Sequence, residues 1–260
     1  TLTGNSTVSG DGDIAISGAI SGSYGLTKTS SNVLTLSNSG STYTGTTTIS
    51  AGTLSISTDG NLGSVPGSTT ANSITLSGGV LQATGAASLN ARRGITFTAD
   101  ASLAATSTNT LTIGGIITGN FALTINGASQ TGTVVLNGAN TYTGATTVSA
   151  GTLKLGNATA LGTTAGGTTV SSGAVLDLNG QTVTNTNALT LNGTGISSGV
   201  ALINSSASAA RYAGAITLGS TTSIRNTGSL SLNGAINGAF GLTLSTGSSN
   251  PIEIRGAIGN

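Results

Sequence analysis

A twelve-residue phrase, Tyr43-Thr44-Gly45-Thr46-Thr47-Thr48-Ile49-Ser50-Ala51-Gly52-Thr53-Leu54, returns 99 residues later as Tyr142-Thr143-Gly144-Ala145-Thr146-Thr147-Val148-Ser149-Ala150-Gly151-Thr152-Leu153, with two mild changes. Repetition of this length means that the chain stacks copies of one unit, so the internal period governs every other reading. It also makes a one-site enzyme a poor expectation.

Short apolar-polar-apolar triplets mark strands, because alternate side chains leave opposite faces. The first seven are 14–16, 34–36, 54–56, 74–76, 95–97, 111–113 and 123–125. The series continues at 153–155, 176–178, 189–191, 216–218, 230–232, 242–244 and 252–254. Their middle residues include Lys154, Asp177 and Glu253, which points charge outward and aliphatic groups inward. Gly, Asn and Ser fill the gaps as turns require, and Gly supplies the positive φ of tight corners. The first five triplets stand about 20 residues apart. One coil of this composition cannot bury its apolar row alone, whereas stacked coils make a continuous core.

The expected fold is therefore all-β: a single-stranded right-handed parallel β-helix with about 20 residues per coil. About 13 coils at the ~4.8 Å strand spacing give a rod on the order of 60 Å long. The rival is an antiparallel sandwich or barrel; the spacing and the distant copies favour the solenoid. A larger period overlies the coils, because Gly18–Thr27 is echoed by Gly115–Thr124 and Gly234–Thr243. It divides residues 1–260, read as one continuous solenoid, into about two and a third modules of 100–120 residues. The core is expected to include Leu34, Leu36, Ile49, Leu54, Ile56, Leu123, Ile125, Val148, Leu153 and Leu155.

Composition narrows the chemistry. The chain has 42 Gly, 7 basic and 6 acidic residues, and no Cys, His, Met or Trp. A charged fraction of 5%, against about 25% in ordinary domains, leaves a surface of hydroxyls and amides. A net charge of +1 gives no electrostatic case for nucleic acid. There is no run of about 18 apolar residues, so no membrane-spanning helix is expected. Without His or Cys there is no Ser-His-Asp or Cys-His site and no common zinc site. The chain starts at Thr1 and reads as a mature product or a piece of something longer.

The remaining candidates read first as structure. Asp11 and Asp13, in a Gly-rich turn, resemble single calcium-binding Gly/Asp loops but lack tandem copies. Tyr43 and Tyr142 are expected to close corners, and Phe121, Phe240 and Tyr24 to plug the core. Arg92, Arg93, Arg211 and Arg225 read as solvated charges. Asn5, Asn157, Asn192 and Asn204 begin chance Asn-X-Ser/Thr triplets. The threonine runs 46–48 and 146–147 lie a module apart, which argues against a regular threonine ladder.

The stretch from Leu34-Thr35-Leu36 through Tyr43-Thr44-Gly45 to Ala51-Gly52-Thr53-Leu54 resembles the autotransporter-associated β-strand repeat. So does Val135 to Gly144 with the tail Ala150-Gly151-Thr152-Leu153. The resemblance covers two segments of about 30 residues each and implies the passenger region of a bacterial autotransporter or surface adhesin. It implies a right-handed parallel β-helix, export to the cell surface, and a stalk or adhesive role. No amphipathic barrel segment with aromatic girdles follows within these residues.

The expected function is non-enzymatic: an extracellular structural rod, surface fibre or adhesin segment. No catalytic, metal or cofactor-binding set is expected. A polysaccharide-binding or polysaccharide-cleaving β-helix and an ice-binding solenoid are the alternatives. Thr1 and Asn260 have nearly the same phase and no polar capping helix is evident, so head-to-tail self-association is the expected partnership. Surface glycans are a further candidate partner.

Overall fold

The computed structural model describes residues 1–127, 130–196 and 199–259. It is an all-β parallel solenoid of about 11 turns with roughly 22 residues per turn. Every strand pairing is parallel to the strand one coil above or below. Among the described residues the helical element is one 3-10 turn, Asp59–Leu62, and no helix is long and apolar enough to cross a membrane.

Each coil passes three faces. The first face carries six strands, from Ser6–Val8 to Ile117–Gly119, and the second carries eleven, from Ile14–Ile16 to Ile236–Asn237. The third carries eight, from Ala86–Leu89 to Leu242–Thr246. A four-stranded sheet, Thr182–Val183 to Ile252–Ile254, follows the third face within each upper coil and precedes the second. It therefore occupies the angular position of the first face. Between the two sheets the column is carried by non-strand backbone: Thr141 N and Thr143 N donate to Ile117 O and Gly119 O, and Thr163 N donates to Tyr142 O.

Only the second face is strand throughout, and it holds the spine. Ile14, Leu34, Leu54, Leu81, Leu103, Ile125, Val148, Val170, Leu191 and Leu218 stack in one unbroken register. All ten expected core residues are buried. Deleting one such side chain to Ala costs about 2–5 kcal/mol, because neighbours locked in a ladder refill the space poorly.

Every triplet lies in a strand, with Leu178 one residue past Ala174–Asp177. The coil is longer than expected because two coils extrude loops. Thr47 pairs with Ile74 and Leu189 with Ile216, each a step of 27 residues, whereas Ser6 to Leu26 is a step of 20. With 11 turns rather than 13 the rod is about 50 Å long.

Candidate functional site: corners, ladders and hollows

The repeated phrase builds a corner. Tyr43 and Tyr142 are 1% and 0% exposed, and each phenol shares a hydrogen bond with the Thr four residues on: Thr47 at 2.7 Å and Thr146 at 2.8 Å. Burial raises both phenol pKa values, with those hydrogen bonds partly opposing the shift. The coil above lays a glycine on each ring. Gly63 and Gly162 have φ +74° and +72°, and a Cβ there would meet the Tyr43 ring at 2.8 Å or the Tyr142 ring at 3.2 Å. Only Gly meets both demands.

The two corners lie on different faces. Tyr43 stands in the third-face column, with Thr47–Ile49 on the first face and Thr53–Ile56 on the second. Tyr142 stands in the first-face column, with Thr146–Val148 on the second and Gly151–Leu155 on the third. The shorter echo behaves alike: Leu26, Leu123 and Leu242 fall on the first, second and third faces in turn. The spacing of the copies is a whole number of coils plus one face.

The outward threonines follow the same turn. Thr7, Thr27, Thr48, Thr75, Thr96 and Thr118 stack one per coil on the first face. Thr124, Thr147, Thr169, Thr190 and Thr217 then stack on the second. The expectation that no regular ladder exists is thus corrected. The ladder is made by the single middle threonine of each coil and not by the threonine runs, so run spacing misses it.

Four further expectations are corrected. Tyr24 and Phe240 are 44% and 49% exposed and Phe121 is half-buried, because all three sit at outer corners where the next coil needs room for its glycine. Arg93, read as solvated, is 3% exposed. Its guanidinium donates to Asp59 Oδ1 at 2.8 Å, Leu62 O at 3.0 Å and Gly63 O at 2.6 Å. Asp177 points outward yet is buried, accepting from Ser205 Oγ at 2.6 Å and pairing with Lys154 at 3.5 Å. Lys28 is buried although charged, its ammonium held by Thr29 O, Ser30 O, Asn32 Oδ1 and Ala51 O. Burial lowers its pKa and the Asp13 charge partly restores it.

Asp11 and Asp13 lie in an exposed turn, where Asp13 Oδ1 accepts from Val33 N at 2.9 Å. Among the described residues no group of three or more His, Cys, Asp or Glu gathers. Three hollows dent the surface. Two adjoin the Tyr43 corner, about 290 Å³ and 240 Å³, and share Gly45 and Thr46 in their walls. The third, about 420 Å³, adjoins the Tyr142 corner.

Residues 26–56 and 128–155 match the passenger-associated-transport-repeat family. Over 266 aligned residues the chain is 33% identical to the adhesin BmaC autotransporter of Brucella suis biovar 1 (strain 1330), which covers 99% of this chain. The chain spans about 6% of the length of that curated relative. No solved structure matches. The matched segments are the two that carry the corners, and both likenesses are to exported, cell-surface passenger material, in agreement with the resemblance read from the residues.

Proposed function

We propose that this passenger-like solenoid is a non-enzymatic adhesive rod of a bacterial cell surface. The observation that carries the reading is the pairing of a continuous aliphatic spine with outward hydroxyl ladders on the same strands. The spine gives stiffness, since each coil is held by in-register hydrogen bonds and dry packing to its neighbours. The ladders give a low-charge, hydroxyl-rich contact surface. The name of the relative, an adhesin, supports the same role.

The acidic groups do not favour polysaccharide cleavage. Asp59 and Asp177 are tied to Arg93 and Lys154, and Glu253 to Arg255 at 2.6 Å. The test is adherence of beads coated with the chain to host cells or extracellular matrix, set against bare beads. Equal retention of both, or sugar products released from added polysaccharide, overturns the reading.

Head-to-tail self-association is the finer proposal. Ser6–Val8 and Ile252–Ile254 are parallel strands at the same angular position in the outermost coils. Each is followed by the same corner, which bears Asp11 and Asp13 in one coil and Arg255 in the other. Sedimentation of the 260-residue chain tests it: assembly that weakens with salt is expected, and monomers at all concentrations overturn it. The threonine ladders support ice binding as a second reading, which a measurement of thermal hysteresis decides.

A further inference from the structure

From the two hollows beside the Tyr43 corner, we infer a groove that binds an uncharged oligosaccharide along the rod, a site that deepens the adhesive reading above and rests on it. The upper hollow exists because the chain departs from its regular coil. The step from Thr47 to Ile74 takes 27 residues, and the surplus forms the Ser64–Thr70 loop. Where the next strand begins, its register against Arg93–Phe97 shifts between Arg93 and Ile95, leaving residues 71–73 as a bulge. Bulges re-aim side chains and recur beside functional sites. Here the bulge turns Ser73 into the hollow wall.

Ser73 Oγ is shut from solvent and has no hydrogen-bond partner. A buried hydroxyl left unpaired is costly and calls for an explanation. A ligand hydroxyl at this place supplies its partner. Around it stand Thr44, Thr46, Ser64 and Thr70, with Val65 and Pro66 as an apolar edge. Arg93 lines the floor with three of its five N–H donors engaged. Because Asp59 neutralises that guanidinium, the remaining N–H groups suit hydroxyls better than a carboxylate.

The volume of about 290 Å³ is at the small end of the roughly 300–1,000 Å³ range of ligand sites, about the room one sugar ring needs. The lower hollow continues the groove past Gly45 and Thr46 to Thr48, Thr27, Gly25 and Asn5, which gives a second ring its hydroxyl partners. Mixed apolar and hydroxyl walls without net charge match the alternating C–H and O–H groups of a neutral sugar.

The hollow at the Tyr142 corner differs in that its amides are engaged. Asn140 accepts from Ile117 N and donates to Ala160 O, and Asn185 donates to Gly162 O. Ala145 also stands where the lower copy has Thr46. The groove is thus specific to the lower corner.

The test uses the full 260-residue chain and saturation-transfer NMR with trisaccharides of glucose, galactose and N-acetylglucosamine, and with N-acetylneuraminic acid as the charged probe. At least one neutral trisaccharide is expected to bind. Ser73→Val, which removes only the hydroxyl, and Thr46→Ala, which copies the residue of the upper corner, are each expected to weaken binding about tenfold, the worth of a lost hydrogen bond. Both variants are expected to keep the thermal midpoint, which separates a site from a structural role. Binding of no neutral sugar, binding of the charged probe alone, or variants that bind like the parent overturn the groove. Adherence of coated beads that the bound sugar fails to compete also overturns it while leaving the adhesive rod standing. Sugar binding without adherence counts against the rod and not the groove.

Discussion

The corners at Tyr43 and Tyr142 share one local structure but satisfy the coil above in different ways. At the lower corner the exposed carbonyls are capped by cations. Arg93 takes Leu62 O and Gly63 O, and Lys28 takes Ala51 O. At the upper corner amides do the same work. Asn185 takes Gly162 O, Asn187 takes Thr163 O and Gly166 O, and Asn126 takes Ala150 O at 3.1 Å. A coil corner requires that its carbonyls meet donors, but it does not dictate which donors. The cationic solution adds a need for counter-charge, which Asp59 meets for Arg93. At the position matching Asp59 the upper copy has Ala158.

The largest effect should come from breaking what the corners share. Tyr43→Ala and Tyr142→Ala are each expected to cost about 3–5 kcal/mol, the range for emptying an aromatic site in a packed core. Tyr142→Ala should lie at the upper end, because its ring also packs on Phe97 at a centroid distance of 6.1 Å. Denaturant melts of the single variants decide it, and a loss under 1 kcal/mol at either site would show that the tyrosine is not what closes the corner.

Next come the capping donors, which differ. Arg93→Ala leaves Asp59 and two carbonyls without their partner and is expected to cost about 3 kcal/mol. Asn187→Ala is expected to cost about 1–2 kcal/mol, since only neutral hydrogen bonds are lost. Equal losses in urea melts would remove the distinction between cationic and amide corners.

Gly63→Ala and Gly162→Ala are expected to cost about 1–3 kcal/mol each through backbone strain at positive φ. Gly63→Ala should be the worse, as its methyl meets the Tyr43 ring more closely.

The smallest effects concern pH. A tyrosine whose folded pKa is raised keeps its proton after the unfolded chain, with a pKa near 10, has lost it. The unfolded state then binds fewer protons, so stability falls as pH rises above about 10, by up to ~1.4 kcal/mol per pH unit per tyrosine. Tyr43, Tyr142 and Tyr212 all act in this sense. Lys28 acts in the opposite sense. Its folded pKa is lowered, so the unfolded state binds more protons in the window just below 10.5, and stability rises with pH there. Melts of Tyr142→Phe and Lys28→Asn across pH 8–11 should each remove one limb. An unchanged profile in both would mean that neither corner carries the pH response.

Much of this was legible in the residues. The triplets locate strands because inward and outward positions alternate, and an aliphatic ladder is the one arrangement that buries them. The buried tyrosines follow from a large side chain beside a Thr-Gly turn. Arg93 was not legible, since nothing in Arg92-Arg93 distinguishes the side chain that turns inward from the one that stays in water. Its burial depends on Asp59, 34 positions away in the chain and one coil below. The threonine ladders were hidden for a related reason. They require the coil register, and 20- and 27-residue steps alternate irregularly along the chain.

The amino-acid sequence by itself determined the solenoid class, the spine and the corner phrase, because each depends on neighbours within a few residues and on a spacing that recurs. Which face each copy occupies, which carbonyls the cations reach, and where a surplus loop opens a hollow were decided only in three dimensions. Those outcomes depend on the summed length of every intervening coil, and a few extra residues in one of them turn all that follows around the axis.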